Sequence, residues 1–166
     1  MMAKTENDLF NIDTGILQKD ARIVIVRTEW NAAIVDKLQE GCIKILTQYS
    51  MENYKIVNVP GAFEIPFGIK SFWDNCKLEK PRAFIALGCV LRGDTPHFDY
   101  ICKAVTNGIL QLNLSLPVPV IFGVLTVDNT EQAQERVGGE HGHKGEEAAI
   151  TALKMIILQR TFYKNQ

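Results

Sequence analysis

A chain of 166 residues with 46% apolar and 22% charged residues has the make-up of an ordinary soluble globular protein with a single core. The formal net charge is −1 with Lys and Arg scattered, which leaves no broad face for nucleic acid or membrane. The longest apolar candidate for a membrane span, Leu116 to Val127, is broken by Pro117, Pro119 and Gly123.

From the start, Met1 to Asn11 is polar, carries Glu6 and Asp8, and has no apolar stretch of signal-peptide type. Residues 1–20 read as an N-terminal extension and residues 21–166 as one domain, expected in the cytoplasm. Arg22 to Arg27 is a short β-branched run and predicts a first strand. Asn31 to Ser50 follows with Ile34, Val35, Leu38, Cys42, Ile45, Leu46 and Tyr49 at helical spacing. Tyr54 to Val59 predicts a second strand that ends at Pro60-Gly61. A helix from about Phe63 to Cys76 tolerates Pro66 only near its first turn. Arg82 to Leu91 is a nearly continuous apolar strand. Pro96 suits the entry to a helix from His97 to about Leu114, which Pro117 stops. Val118 to Thr126 is the fourth strand, Thr130 to Val137 a short helix, Gly138 to Gly145 a glycine-rich loop, and Glu146 to about Phe162 the last helix. No internal repeat or linker interrupts this alternation.

Strands alternating with helices imply right-handed crossovers and a parallel sheet, and apolar rather than alternating strands imply helices on both faces. The expected architecture is α/β, a flavodoxin-like α/β/α sandwich with a four-stranded parallel sheet in the order 2-1-3-4. Ligands of such sheets sit beyond the carboxyl ends of the strands near the switch between strands 1 and 3. That rule selects Thr28 to Asn31, Pro60 to Glu64, Gly88 to His97, and Thr126 to Asp128.

The stretch from Gly88 to Phe98 is the richest of these. It offers backbone N–H groups, the Thr95 hydroxyl, Arg92 and, in His97, a group that titrates near neutrality, the parts needed to hold an anion and move a proton beside it. Each residue also has a plainer reading. His97 caps a helix start, Asp94 and Thr95 are turn residues, and Asp94 suits an anion only through its N–H. Trp30 either packs half-buried or stacks on a flat heteroaromatic ligand. Glu64 is a first-turn acid or an acceptor for ligand hydroxyls. Phe122 belongs to the core unless it meets an exposed face or a neighbouring subunit. Arg136 and Lys144 bracket the glycine-rich loop and are either solvated or phosphate partners. Cys42, Cys76, Cys89 and Cys102 form no CxxC pair, which favours reduced thiols over a zinc site. His141 and His143 form an HxH pair with no third ligand nearby.

Together the segments Val59 to Pro66, Gly88 to Tyr100, Pro119 to Thr126, Glu131 to Ala133 with Glu135-Arg136, and Gly142 to Ala149 resemble the lumazine synthase family. They occur in order across nearly the whole chain, from about Arg22 to Leu158. The resemblance implies a riboflavin-biosynthesis transferase. Such an enzyme condenses 5-amino-6-(D-ribitylamino)uracil with 3,4-dihydroxy-2-butanone 4-phosphate to 6,7-dimethyl-8-ribityllumazine, phosphate and water, with no metal or organic cofactor. It further implies that Trp30 stacks on the pyrimidine and that Ala62, Phe63 and Glu64 hold the ribityl chain and ring edge. Cys89, Val90 and Leu91 would meet the uracil mainly through backbone groups. Asp94 and Thr95 would bind the phosphate substrate, and His97 would donate the proton. Phe122 and Arg136 would come from an adjacent subunit, with Lys144 as an accessory. Sites shared in this way imply self-association, as a pentamer or a sixty-subunit shell, and no insertion between Arg136 and Gly145 stands in the way of shell closure. The other partners expected are the two small-molecule substrates. His143 stands where the family usually has asparagine. A non-catalytic flavin- or lumazine-binding or shell-forming protein, and a flavodoxin-like signalling or electron-transfer domain, are the competing readings.

Overall fold

The computed structural model describes residues 11–15 and 17–164; residues 1–10 of the expected N-terminal extension, and Ile16, lie outside it. The runs of branched residues form four parallel strands: β1 (Ile23–Thr28), β2 (Tyr54–Val59), β3 (Ala83–Leu91) and β4 (Val120–Val127). Their order is β2-β1-β3-β4, as the alternation predicts. In register, Ile25 lies beside Ile56 on one side and Ile85 on the other, and Ile85 lies beside Ile121.

Successive strand residues point to opposite faces, so the sheet has two cores. Ile23, Ile25, Ile85 and Leu87 pack under α1 (Ala32–Gln48) and under the long C-terminal helix, α5 (Lys144–Lys164). Val24, Val26, Phe84 and Ala86 pack under α2 (Ile65–Asn75) and α3 (His97–Ser115). Leu17, upstream of the expected domain start, is buried in the first of these cores. The sheet's central strands are therefore covered on both sides, which is why they carry almost no polar residues.

A short helix, α4 (Thr130–Gln134), follows β4. It ends earlier than its sequence suggests, because Val137 starts a small antiparallel hairpin instead. That hairpin, β5 (Val137–Gly139) with β6 (Gly142–His143), occupies the glycine-rich loop. Gly138 and Gly142 have φ of 111° and 74°, values that glycine adopts without penalty. The hairpin returns the chain so that the Lys144 N–H donates to the Arg136 carbonyl at 2.8 Å. Glycine also sets how closely α5 approaches α1. A Cβ at Gly145 would lie 2.0 Å from the Leu38 carbonyl oxygen, and one at Gly41 would lie 2.1 Å from the His143 ring. His143 thus packs on α1, and its Nδ1 accepts the Glu146 N–H at 3.4 Å across the start of α5.

Candidate functional site

The loops at the carboxyl ends of β1, β2 and β3 enclose one cavity. After β1, the Glu29 N–H donates to the Val59 carbonyl at 2.8 Å and the Trp30 N–H to the Pro60 carbonyl at 3.1 Å. The Thr28 hydroxyl donates to the Trp30 carbonyl at 3.2 Å. Asn31 sits at φ 58°, in the left-handed region that Asn tolerates better than other side-chain-bearing residues, and its Nδ2 donates to the Cys89 carbonyl at 2.7 Å. Four hydrogen bonds therefore fix the backbone around Trp30 while its indole stays 66% exposed. The indole lies over Gly61, where a Cβ would come within 2.6 Å of the ring.

After β2, Ala62–Glu64 form a single 3-10 turn that leads into α2, with Pro66 in the first turn of that helix. Glu64 Oε2 accepts the Gly61 N–H at 3.1 Å, so the carboxylate is a first-turn acid that still faces the cavity. Trp30, Ala62, Phe63, Glu64, Cys89, Val90, Leu91 and His97 all line this space of about 630 Å³, completed by Thr28, Asn31 and Ile101. His97 is the first residue of α3, on the rim. Asp94 and Thr95 lie in the exposed turn just before it and do not line the wall.

Phe122, Arg136 and Lys144 are elsewhere. They line a second groove of about 610 Å³ along β4, the sheet edge, and it shares no lining residue with the first cavity. Phe122 projects from this edge and is 43% exposed. Arg136 Nη1 donates to the Gln132 carbonyl at 2.8 Å, which anchors the guanidinium on α4. Lys144 Nζ donates to both Glu147 carboxylate oxygens, at 3.0 and 2.9 Å. Glu147 lines the groove too and was missed in the sequence, where the three-residue spacing from Lys144 on a helix was its only signal.

One polypeptide thus presents two unlike candidate half-sites. The first has an aromatic shelf, the largely buried strand end of β3, a carboxylate and an imidazole, and suits a flat polar heterocycle with a proton to move. The second is a cationic groove with an exposed ring. Burial pushes the Cys89 thiol up to about 11 and the Cys42 thiol up to about 12, so neither is a thiolate nucleophile near neutral pH. Among the described residues, no three His, Cys, Asp or Glu side chains gather as metal ligands, and no helix is long and apolar enough to cross a membrane.

These features define a flavodoxin-like fold with a cavity at the carboxyl end of its sheet. Comparison with known proteins narrows the class. A family model for 6,7-dimethyl-8-ribityllumazine synthase matches residues 20–160. A protein of that name from Porphyromonas gingivalis is 51% identical over 144 residues, covering 86% of this chain and 88% of the relative. One from Parabacteroides distasonis is 48% identical over 139 residues, covering 82% and 85%. One from Christiangramia forsetii is 42% identical over 169 residues, covering 98% and 99%. The chain belongs to the 6,7-dimethyl-8-ribityllumazine synthase family. Membership makes it a transferase of riboflavin biosynthesis, and the non-catalytic binder is not favoured.

Proposed function

We propose that this chain condenses 5-amino-6-(D-ribitylamino)uracil with 3,4-dihydroxy-2-butanone 4-phosphate in sites that each combine the two half-sites from adjacent copies. The observation that carries this reading is the separation of the His97 cavity from the Arg136 groove within one chain. A single copy offers a ring shelf without a cation for phosphate, and cations without a shelf.

In this reading Trp30 stacks on the pyrimidine, Ala62, Phe63 and Glu64 hold the ribityl chain and ring edge, and Cys89 to Leu91 meet the uracil through their backbone. The substrate amine adds to the ketone, and water leaves to give an imine. Phosphate is then eliminated, the chain tautomerises, and the second amine closes the ring with loss of water. Every step is an addition, an elimination or a proton transfer, so positioning, a proton carrier and an anion clamp suffice. His97 carries the proton. Thr95 and the backbone N–H groups around Asp94 take part of the phosphate. Arg136 of the neighbouring copy takes the rest through charge-assisted bonds, and that copy's Phe122 covers the ring. Lys144 is accessory, because Glu147 already pairs with it.

The assembly follows from which surfaces are unlike. Phe67 on the β2–α2 side, and Leu110, Leu114, Phe122 and Met155 on the β4 side, are large apolar residues left exposed. Two different edges that bind each other give a head-to-tail contact, which closes as a ring when the rotation allows. A pentamer is the reading adopted, with a sixty-subunit shell as its larger form.

The test is to mix both substrates with purified protein and no added cofactor, following the lumazine chromophore and free phosphate together. Product is expected, and His97→Ala should lower kcat by about 100-fold with the particle mass unchanged. Bound chromophore without turnover would favour the binder, and an unaltered kcat in His97→Ala would remove the proton-carrying role.

A further inference from the structure

Arg92 sits beside Thr95 and His97, in a turn that the sequence suggests for holding an anion, yet its guanidinium is already engaged. Nε donates to Asp128 Oδ1 at 2.8 Å, and Nη1 donates to Asp99 Oδ1 at 3.4 Å. The guanidinium carbon also lies 4.1 Å from the centre of the Phe98 ring. One side chain thereby joins the end of β3, the β4–α4 loop and the first turn of α3. The Arg92 N–H adds a bond to the Val127 carbonyl at 2.9 Å, and the Asp99 N–H one to the Pro96 carbonyl at 3.0 Å. Asp128 is itself held, its N–H donating to Gln132 Oε1 at 2.9 Å. The hydrogen bond from Arg92 also keeps its carboxyl below the usual carboxylate range.

Between these tethers, Gly93, Asp94, Thr95 and Pro96 are exposed, and a Cβ at Gly93 would meet nothing within 4 Å. The turn is fastened at its ends and has little packing of its own. A segment with so few buried contacts opens easily unless something pins it. The charges also speak against anion binding by Arg92. Its one positive charge faces two carboxylates, and Asp94 adds a third close in the chain, so the local field does not recruit a phosphate.

We infer that Arg92 is a positioning residue: it clamps the turn from Gly93 to Pro96 between α3 and the β4–α4 loop, so that His97 is presented to the cavity, and it is not a phosphate ligand. The inference rests on the proposed function only in taking His97 as the proton carrier.

Arg92→Lys, Arg92→Gln and Asp128→Asn in the full-length assembled protein test it, with melting temperature and particle mass as checks on folding. Asp128→Asn keeps Arg92 and the surrounding packing. All three should lower kcat by about tenfold or more, since a misplacement of about 1 Å can cost about 100-fold. The KM for the butanone phosphate should stay within about threefold. Amide hydrogen exchange over 93–97 should speed up in each variant. A phosphate ligand would behave differently: Arg92→Lys close to the parent, Arg92→Gln raising that KM, and Asp128→Asn, which frees the guanidinium, lowering it. That pattern overturns the inference, and so does unchanged exchange over 93–97. If the reading of His97 is what fails, His97→Ala keeps its kcat while the exchange change persists, so the two failures are told apart.

Discussion

At the scale of single residues, the candidate site is held by hydrogen bonds among its own loops. Trp30 owes its placement to Thr28, Asn31 and Pro60, and its ring can lie close over Gly61 because that residue has no side chain. Gly61 has φ −139°, extended backbone open to any residue, so its replacement acts through space alone. In Gly61→Ala the new methyl would meet two indole carbons at 2.6 Å, and the largely exposed indole is what must move. Little folding energy is at stake in moving an exposed side chain, and the change should stay within about 0.5 kcal/mol. Binding should suffer more, because a displaced ring loses a stacking contact worth about 0.5–1.5 kcal/mol, or up to about tenfold in affinity. Calorimetric titration of ribitylaminouracil, beside a melting curve of the same variant, checks this. An affinity equal to that of the parent would mean that the indole is not the shelf.

At the scale of elements, the sheet and its order were legible because each strand is a branched apolar run between turn residues. The buried face of α1 was legible because Ile34, Leu38, Ile45 and their neighbours recur at helical spacing. The hairpin of β5 and β6 was not legible. Its strands are two and three residues long, mostly glycine, and show no apolar alternation, so they read as a loop. For the candidate site, the residues of the first cavity stand on adjacent strand ends, where the topology rule locates ligands. The role of Arg92 was hidden, since its partners lie seven and thirty-six residues away and only the folded sheet joins them. The approach of α5 to α1 was hidden too, although it sets where Lys144 stands. Gly145→Ala tests that approach. Its Cβ would fall 2.0 Å from the Leu38 oxygen and within 2.9 Å of two more Leu38 backbone atoms, so relief requires moving a helix and not a side chain. Overpacking of this kind costs about 1–3 kcal/mol. Each kcal/mol should lower the melting temperature by about 2–4 °C in a chain of this size. Lys144, next in sequence, should shift with the helix, raising the KM for the phosphate substrate. A melting temperature equal to the parent's would show that the two helices are not locked at this point.

At the scale of the whole molecule, the decisive feature is that His97 and Arg136, proposed as proton carrier and phosphate cation, line different surfaces of the same chain. If sites form only between copies, the two defects can be repaired by mixing. His97→Ala chains keep an intact Arg136 groove, and Arg136→Ala chains keep an intact His97 cavity. Co-expressed with different tags and purified through both, equal amounts assemble with random neighbours. A contact is competent only when the cavity comes from an Arg136→Ala chain and the groove from a His97→Ala chain. In a head-to-tail ring this holds for about one contact in four, so the mixture should recover about a quarter of the parent kcat while each variant alone stays far lower. A second mixture sets the scale, because the double variant diluted with parent chains also leaves about one contact in four with both residues. Sites contained within one chain give a different result, since every chain in the first mixture carries one defect and no arrangement of neighbours removes it. Activity no greater than the residual rates of the two variants account for, in particles shown to contain both tags, would therefore dismantle the composite site and return Arg136 and Phe122 to ordinary surface roles.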